Sequence, residues 1–278
     1  MAIIFDGKTY SLKKKELLRA GATLLREKGI IPHMATILIG DDSASHLYVE
    51  LKKKFIESIG CQLDIYNLTE NTKLEDIELL IKTLNEDESV HGIMIQFPLP
   101  ENLADQKEKV VSLIKAEKDI DGLQEDSKYV HPTAKAVTEI MSLAVNETKT
   151  EIKTVCVVGS EGMVGKPLVY ELKRLGYEVT ECDKDTDDLM FKTVAVDCVI
   201  STTGVMNLIT PDMVKNEAVL IDVGSPVGDI SPMCEEKASF LTPVPGGVGP
   251  VTITCLAENL LISASYKKHI FTEVISDI

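Results

Sequence analysis

Thr154-Val-Cys-Val-Val-Gly159-Ser-Glu-Gly162-Met-Val-Gly165 is the stretch from which the fold is read. Its opening residues are apolar or β-branched and predict a buried strand over 154–159. Glycines then punctuate a turn, and residues 164–175 have helical spacing. Glycine at such a turn lets the backbone approach a diphosphate. The helix start that follows offers free N–H groups and positive potential. Gly162 and Gly165 occupy the second and third positions of a G-x-G-x-x-G variant whose first position is Ser160. A plain strand–helix turn is the competing reading, because two glycines alone are a weak signal.

Outward from this segment, strand and helix patterns alternate. Strands are predicted near 178–182, 197–201 and 218–223. The second strand of the unit, Glu178-Val-Thr-Glu-Cys-Asp183, ends on an acid eighteen residues past Gly165. A carboxylate there accepts from a ribose diol and repels a 2′-phosphate. Upstream, helices are predicted over 11–28, 43–58, 74–84 and 133–145, with Ser43 or Ser45 as the N-cap of the second. Strands are predicted over 35–39, 61–66 and 92–96. Such alternation implies parallel sheet units and an α/β fold. Asn146–Lys153 is polar and reads as a junction. The expected domains are 1–140 and a Rossmann-type 141–251, with a final helix over 252–278 packing back on the first.

The 278 residues carry a net charge of −15, which disfavours nucleic acid and anionic membranes as partners. No apolar run is expected to reach the length of a membrane span, and the N-terminus lacks a signal-peptide pattern. The six cysteines form no CxxC pair and mostly sit in apolar segments, which points to buried thiols in a reducing, cytoplasmic setting. The five dispersed histidines show no ligand spacing, so no metal is expected.

Two further segments bear chemistry. Thr242-Pro-Val-Pro-Gly-Gly-Val-Gly-Pro-Val-Thr252 combines prolines that fix φ with glycines that free it, and reads as a rigid, shaped loop. In Gly40-Asp-Asp-Ser-Ala-Ser-His-Leu-Tyr48-Val-Glu-Leu-Lys52, the tyrosine and lysine are four apart and share one helical face. That pair suits proton chemistry, since burial lowers a lysine pKa towards neutrality. Spacing alone favours a solvated basic face, because Lys53 and Lys54 follow. Gln96 stands at a strand's C-terminal end, where α/β sites form. Asp121, before Gly122, reads on composition as a turn residue.

Five ordered motifs across residues 5–262 resemble the methylenetetrahydrofolate dehydrogenase/methenyltetrahydrofolate cyclohydrolase family. Residues 40–52 are similar to its G-D-D-x-A-S-x-x-Y-V-x-x-K, Gly92–Pro100 to G-I-L-V-Q-L-P-L-P, Lys118–Gly122 to K-D-V-D-G, and 242–252 to T-P-V-P-G-G-V-G-P-x-T. The resemblance implies two α/β domains with a cleft between them. It implies oxidation of 5,10-methylenetetrahydrofolate to the methenyl compound with NAD or NADP, then hydrolysis to 10-formyltetrahydrofolate, in one-carbon metabolism that serves purine biosynthesis. On this reading Lys52 is catalytic, with Tyr48, Gln96 and Asp121, and Asp121 holds the pterin. Leu99, Pro100, Gly246, Gly247 and Pro250 complete the substrate site. Gly159, Ser160, Glu161, Gly162, Met163, Val164, Gly165, Asp183, Lys184, Thr203, Gly204, Gly224 and Ser225 are expected to hold the dinucleotide. A homodimer is also implied.

The chain departs from the family pattern at four places. Ser160 and Glu161 replace Arg and Ser of G-R-S-x-x-V-G-x-P, and Asp183-Lys184-Asp185-Thr186 replaces H-S-x-T, which favours NAD over NADP. His131-Pro-Thr133-Ala-Lys-Ala136 stands for P-C-T-P-x-G. Ser225-Pro-Val-Gly-Asp229 replaces a longer hairpin. The alternatives are a dehydrogenase without cyclohydrolase activity, and a catalytically silent folate- or nucleotide-binding protein.

Overall fold

The computed structural model describes residues 2–266. Residues 267–278 of the expected final helix therefore lie outside the described residues. In chain order the elements are β1 (Ile3–Ile4), α1 (Gly7–Glu27), β2 (His33–Ile39), α2 (Ser43–Ser58), β3 (Gln62–Leu68), α3 (Leu74–Glu86), β4 (Gly92–Gln96) and α4 (Lys107–Ser112). They continue as α5 (Pro132–Thr148), β5 (Thr154–Val158), α6 (Gly165–Arg174), β6 (Glu178–Cys182), α7 (Leu189–Val194), β7 (Cys198–Ser201), β8 (Val219–Asp222), β9 (Phe240–Leu241) and α8 (Val248–Tyr266).

The chain divides into two compact units, each discontinuous in sequence. One joins the residues up to Leu12 with His131–Cys255; the other runs from Lys13 to Val130 and resumes at Leu256. The division at 130/131 precedes the sequence junction by a whole helix. The physical reason is that α5 packs against α6 and β8 and so goes with them.

The first unit holds a six-stranded parallel sheet in the order β1-β9-β8-β7-β5-β6. Strands β7 and β8 are buried along their whole length, as expected of a parallel sheet covered on both faces, whereas the edge strand β6 is mixed. The sequential order reverses between β5 and β7, which makes that point the topological switch of the sheet. The second unit holds a three-stranded parallel sheet in the order β3-β2-β4. Its central β2 is buried at every position. Met34 faces one apolar cluster with Leu18, Leu25, Leu256 and Leu260, and Ala35, Ile37 and Ile39 face another with Ile77 and Ile81. Each fully buried aliphatic side chain of this kind contributes about 1.5–3 kcal/mol.

Three local expectations are corrected. Helix α2 is capped by Asp42, whose carboxylate accepts from Ser45 N at 2.7 Å, and not by Ser43 or Ser45. Helix α1 starts at Gly7 because Asp6 accepts from Thr9 N at 3.0 Å, a cap that brings in a polar first turn without helical periodicity. Helix α8 starts at Val248, inside the Gly-Pro run. Pro250 falls in its first turn, where a missing N–H costs nothing. Helix α8, at 19 residues, is also long and apolar enough by composition to cross a membrane, contrary to the sequence expectation. Its apolar positions are instead used in packing: Val251, Cys255, Leu256, Leu260 and Ala264 are all buried.

Candidate functional site

In the three-stranded unit, the helical face of Tyr48 and Lys52 meets the end of β4. Lys52 Nζ donates to Gln96 Oε1 at 3.0 Å and to Met94 Sδ at 3.3 Å, and stands 4.6 Å from the centroid of the Tyr48 ring. Met94 and Gln96 are two apart on one strand and therefore project on one face. Gln96 Nε2 donates to the Phe97 carbonyl at 2.7 Å, which turns the amide oxygen towards the lysine. Lys52 is buried, so desolvation pushes its pKa down to about 8 while the negative charge of Asp121 opposes the fall. Desolvation pushes the Tyr48 phenol up to about 12, so it remains protonated. Lys52 is thus a buried lysine held by Gln96 beside Tyr48, and a solvated basic face is not what the helix presents there.

The loop Lys118–Gly122 is fixed from both ends. Lys118 Nζ donates to the carbonyls of Leu84 and Asp87, and Ile93 N donates to the Lys118 carbonyl. Asp119 Oδ2 accepts from Leu123 N and Gln124 N, each at 3.0 Å. The turn acid is thus Asp119, and Asp121 is left to interact with the Lys52 charge. Burial pushes the Asp121 carboxyl up and Lys52 pulls it back down. Asp119 and Met94 escaped the sequence reading. Met94 was within reach of the period-2 argument; Asp119 was hidden beside the more prominent Asp121. Leu99 is buried in the apolar cluster of β2 and α3, and Pro100 lies under Gly40, so both shape the floor beside β4.

In the six-stranded unit, the β5–α6 turn forms as a tight cradle. Gly159 has φ +89°, and its N–H and that of Ser160 both bond to the Cys182 carbonyl at the end of β6. A Cβ on Gly165 would lie 2.0 Å from the Gly159 carbonyl oxygen, so no side chain fits there. Gly159, rather than Ser160, is the residue whose conformation makes the turn. No side chain caps the start of α6, at Val164. That leaves the helix start to a bound anion, and these features fit a dinucleotide diphosphate. Asp183 closes the cradle: Oδ2 accepts from Glu161 N and Oδ1 from Lys184 N, both at 2.8 Å. These backbone donors hold its carboxyl below the ordinary range. Ser160 is buried, Met163 is exposed, and Glu161 pairs loosely with Lys166 at 3.9 Å.

Beyond the switch point, Thr203 and Gly204 follow β7, and Gly224 and Ser225 follow β8. Two buried acids tie these loops together. Asp229 Oδ2 accepts from Ser201 Oγ, Thr203 N and Thr203 Oγ1 at 2.7, 2.7 and 2.9 Å. Asp222 accepts from Gly224 N and Asp229 N on one oxygen and from Ile230 N on the other. Neither role is visible in the sequence, because the donors are mostly backbone. Gly246, with φ +105°, and Gly247 belong to this unit. A Cβ on Gly7 would lie 1.9 Å from the Gly247 carbonyl oxygen, so the start of α1 and this loop are in backbone contact. Pro250 follows in α8.

Two family models match the chain: the catalytic domain of tetrahydrofolate dehydrogenase/cyclohydrolase over residues 5–121, and its NAD(P)-binding domain over residues 131–268. The bifunctional protein FolD of Campylobacter jejuni strain RM1221 is 38% identical over 279 residues, covering 94% of this chain and 98% of that protein. The crystal structure of the bifunctional FolD enzyme from Campylobacter jejuni has a TM-score of 0.90 at 35% identity, covering 96% of this chain and 100% of that one. The methylenetetrahydrofolate dehydrogenase-cyclohydrolase of Trypanosoma brucei, solved with NADP and an inhibitor, has a TM-score of 0.88 at 32% identity, covering 96% of this chain and 98% of that one.

Proposed function

The chain belongs to the tetrahydrofolate dehydrogenase/cyclohydrolase family, and on that premise we propose how its own residues divide the work. The protein oxidises 5,10-methylenetetrahydrofolate to 5,10-methenyltetrahydrofolate and hydrolyses that product to 10-formyltetrahydrofolate, in one-carbon metabolism. The observation that carries the residue assignment is the Lys52–Gln96 hydrogen bond beside Tyr48.

A bound nicotinamide dinucleotide takes up the hydride from the methylene carbon. The six-stranded unit binds it through Gly159–Gly165 and orients it, which is most of what hydride transfer requires. Hydrolysis requires proton transfer. Neutral Lys52 accepts a proton as water forms the new C–O bond at the methenyl carbon. The resulting ammonium returns a proton to N5 of the folate as the C–N5 bond breaks. Loss of the remaining hydroxyl proton leaves the formyl group on N10. Gln96 aims the lysine, Tyr48 lines its side, and Asp121 accepts from the pterin N–H edge while supporting the lysine's charge.

The finer reading is a preference for NAD. It is supported by the ionised Asp183 at the end of β6 and by buried Ser160 where the family pattern has arginine. A homodimer is supported by family resemblance, and a cytoplasmic setting by six free, buried cysteines. The acidic surface argues against nucleic-acid and anionic-membrane partners. Purine biosynthesis is the proposed consumer of the 10-formyl product.

One assay tests the reading: reduction of NAD and of NADP with methylenetetrahydrofolate, followed in parallel with the loss of methenyl absorbance. Both signals are expected. Reduction without methenyl loss would leave a dehydrogenase alone, and neither signal would leave a binding protein.

A further inference from the structure

We infer that, given the dinucleotide reading above, Asp229 is the residue by which this protein favours the oxidised, cationic nicotinamide over the reduced, neutral one. Asp229 is fully buried, and its two oxygens are unequal. Oδ2 takes all three donors from Ser201 and Thr203; Oδ1 is buried with no hydrogen-bond partner. Tethering the loop after β7 needs an acceptor oxygen but no charge. An asparagine would accept the same three bonds. Its amide would also point towards the spot beside Gly224 where Oδ1 and the Val227 carbonyl oxygen converge, at 2.4 and 2.6 Å from a Cβ placed on that glycine. A carboxylate at this place is a costlier tether than an amide, because a buried charge is destabilising unless something compensates it.

Three donated hydrogen bonds compensate it only on one oxygen. Asp222 lies alongside and is itself an acid, bonded only to backbone N–H groups. Among the described residues neither acid has a cationic partner. Two acids without a cation therefore stand behind the C-terminal ends of β7 and β8. The strand order reverses between β5 and β7. A dinucleotide laid across that switch point places its adenosine over β5 and β6, on the side of Asp183. Its nicotinamide then falls over β7 and β8, beside Thr203–Gly204 and Gly224–Ser225. The ring is positive before reduction and neutral after it. A buried carboxylate in a water-poor setting acts on the first state and not on the second. Asp229 thereby sets the redox-state specificity of the site and lowers the reduction potential of the bound couple.

The test is calorimetric titration of the full chain, without folate, with the oxidised and the reduced dinucleotide. In Asp229→Asn the ratio Kd(oxidised)/Kd(reduced) is expected to rise about three- to tenfold. Ser201→Ala removes a donor from the same oxygen but keeps the charge; there both constants move together and the ratio stays put. An unchanged or lowered ratio in Asp229→Asn overturns the inference, since a mere tether would weaken both forms alike. If that variant does not fold, the wild type decides. It should bind the oxidised form at least as tightly as the reduced, and a reduced form held the tighter of the two overturns the inference. A wild type that binds neither form sinks the dinucleotide reading itself, whereas an unchanged ratio sinks only the role of Asp229.

Discussion

Lys52 Nζ sits 3.0 Å from Gln96 Oε1, so a lysine with a pKa lowered to about 8 is aimed by an amide that is itself pinned to the Phe97 carbonyl. Replacing that lysine separates the two activities. Lys52→Met is expected to lower the cyclohydrolase about 10²–10⁴-fold, the usual worth of a positioned acid–base group, while substantial dehydrogenase activity remains. Parallel stopped assays of the two steps check this. Equal losses with folate affinity intact would show that the steps do not divide at Lys52.

The hydrolysis should depend on pH with a rising limb. Burial lowers the Lys52 pKa to about 8, so the neutral, proton-accepting form grows as pH rises through that value. After subtraction of the uncatalysed rate, kcat/KM is expected to climb with a midpoint near pH 8 and to level off about one unit above it. Gln96 accepts from the ammonium form and so favours it. Gln96→Leu should therefore move the midpoint to lower pH. A flat profile in the wild type would remove Lys52 as the base.

Asp121→Ala is expected to weaken folate binding by about 1.5–3 kcal/mol, the worth of a hydrogen bond to a charged group. The same change removes the negative charge that holds up the Lys52 pKa, so the pH midpoint should fall as well. Equilibrium binding of a folate to the folded variant checks the first effect. An unchanged Kd would return Asp121 to the role of a turn residue.

The wild type is expected to prefer NAD, and Asp183→Ser to shift kcat/KM towards NADP by removing the charge that a 2′-phosphate would meet. The structure adds a complication: both Asp183 oxygens already hold the backbone of Glu161 and Lys184, so the variant should also lose some affinity for NAD. A wild type that favours NADP would sink the preference. A variant with an unaltered ratio would leave the preference and dismiss the residue.

Gly165→Ala should act on the cradle alone. Its Cβ would fall 2.0 Å from the Gly159 carbonyl, a backbone atom that cannot swing aside. Overpacking of this kind costs about 1–3 kcal/mol. Thermal melting should fall accordingly, and dinucleotide affinity should drop while folate affinity holds. An unshifted melt would mean that the turn relaxes more easily than its geometry implies.

The parts of the fold that could be read from sequence were those with a strong period or a strong punctuator. Tyr48 and Lys52 were paired by helical spacing, β4 by its apolar run before Pro98, and the cradle by its glycines. Hidden parts had other causes. The starts of α1 and α8 are set by Asp6 and by tolerance of Pro250 in a first turn, and neither carries periodicity. The short β1 and β9 have two residues each, too few for any pattern. Asp119 accepts from backbone N–H groups across its own loop, and Asp229 from Ser201 and Thr203 on a different strand and loop, so neither leaves a signature in local side-chain spacing.

The sharing of cores between distant segments has a consequence for how the molecule is born. On the ribosome the N-terminal half emerges first, and β2, β3 and β4 are all present early. Yet the apolar cluster beneath them includes Leu256, Leu260, Leu261 and Ala264, among the last described residues to be synthesised. The earliest strand, β1, waits likewise for β9 before it has a neighbour. Neither unit can finish before β9 and α8 have been made, so a product stalled or clipped ahead of them leaves both cores open to aggregation.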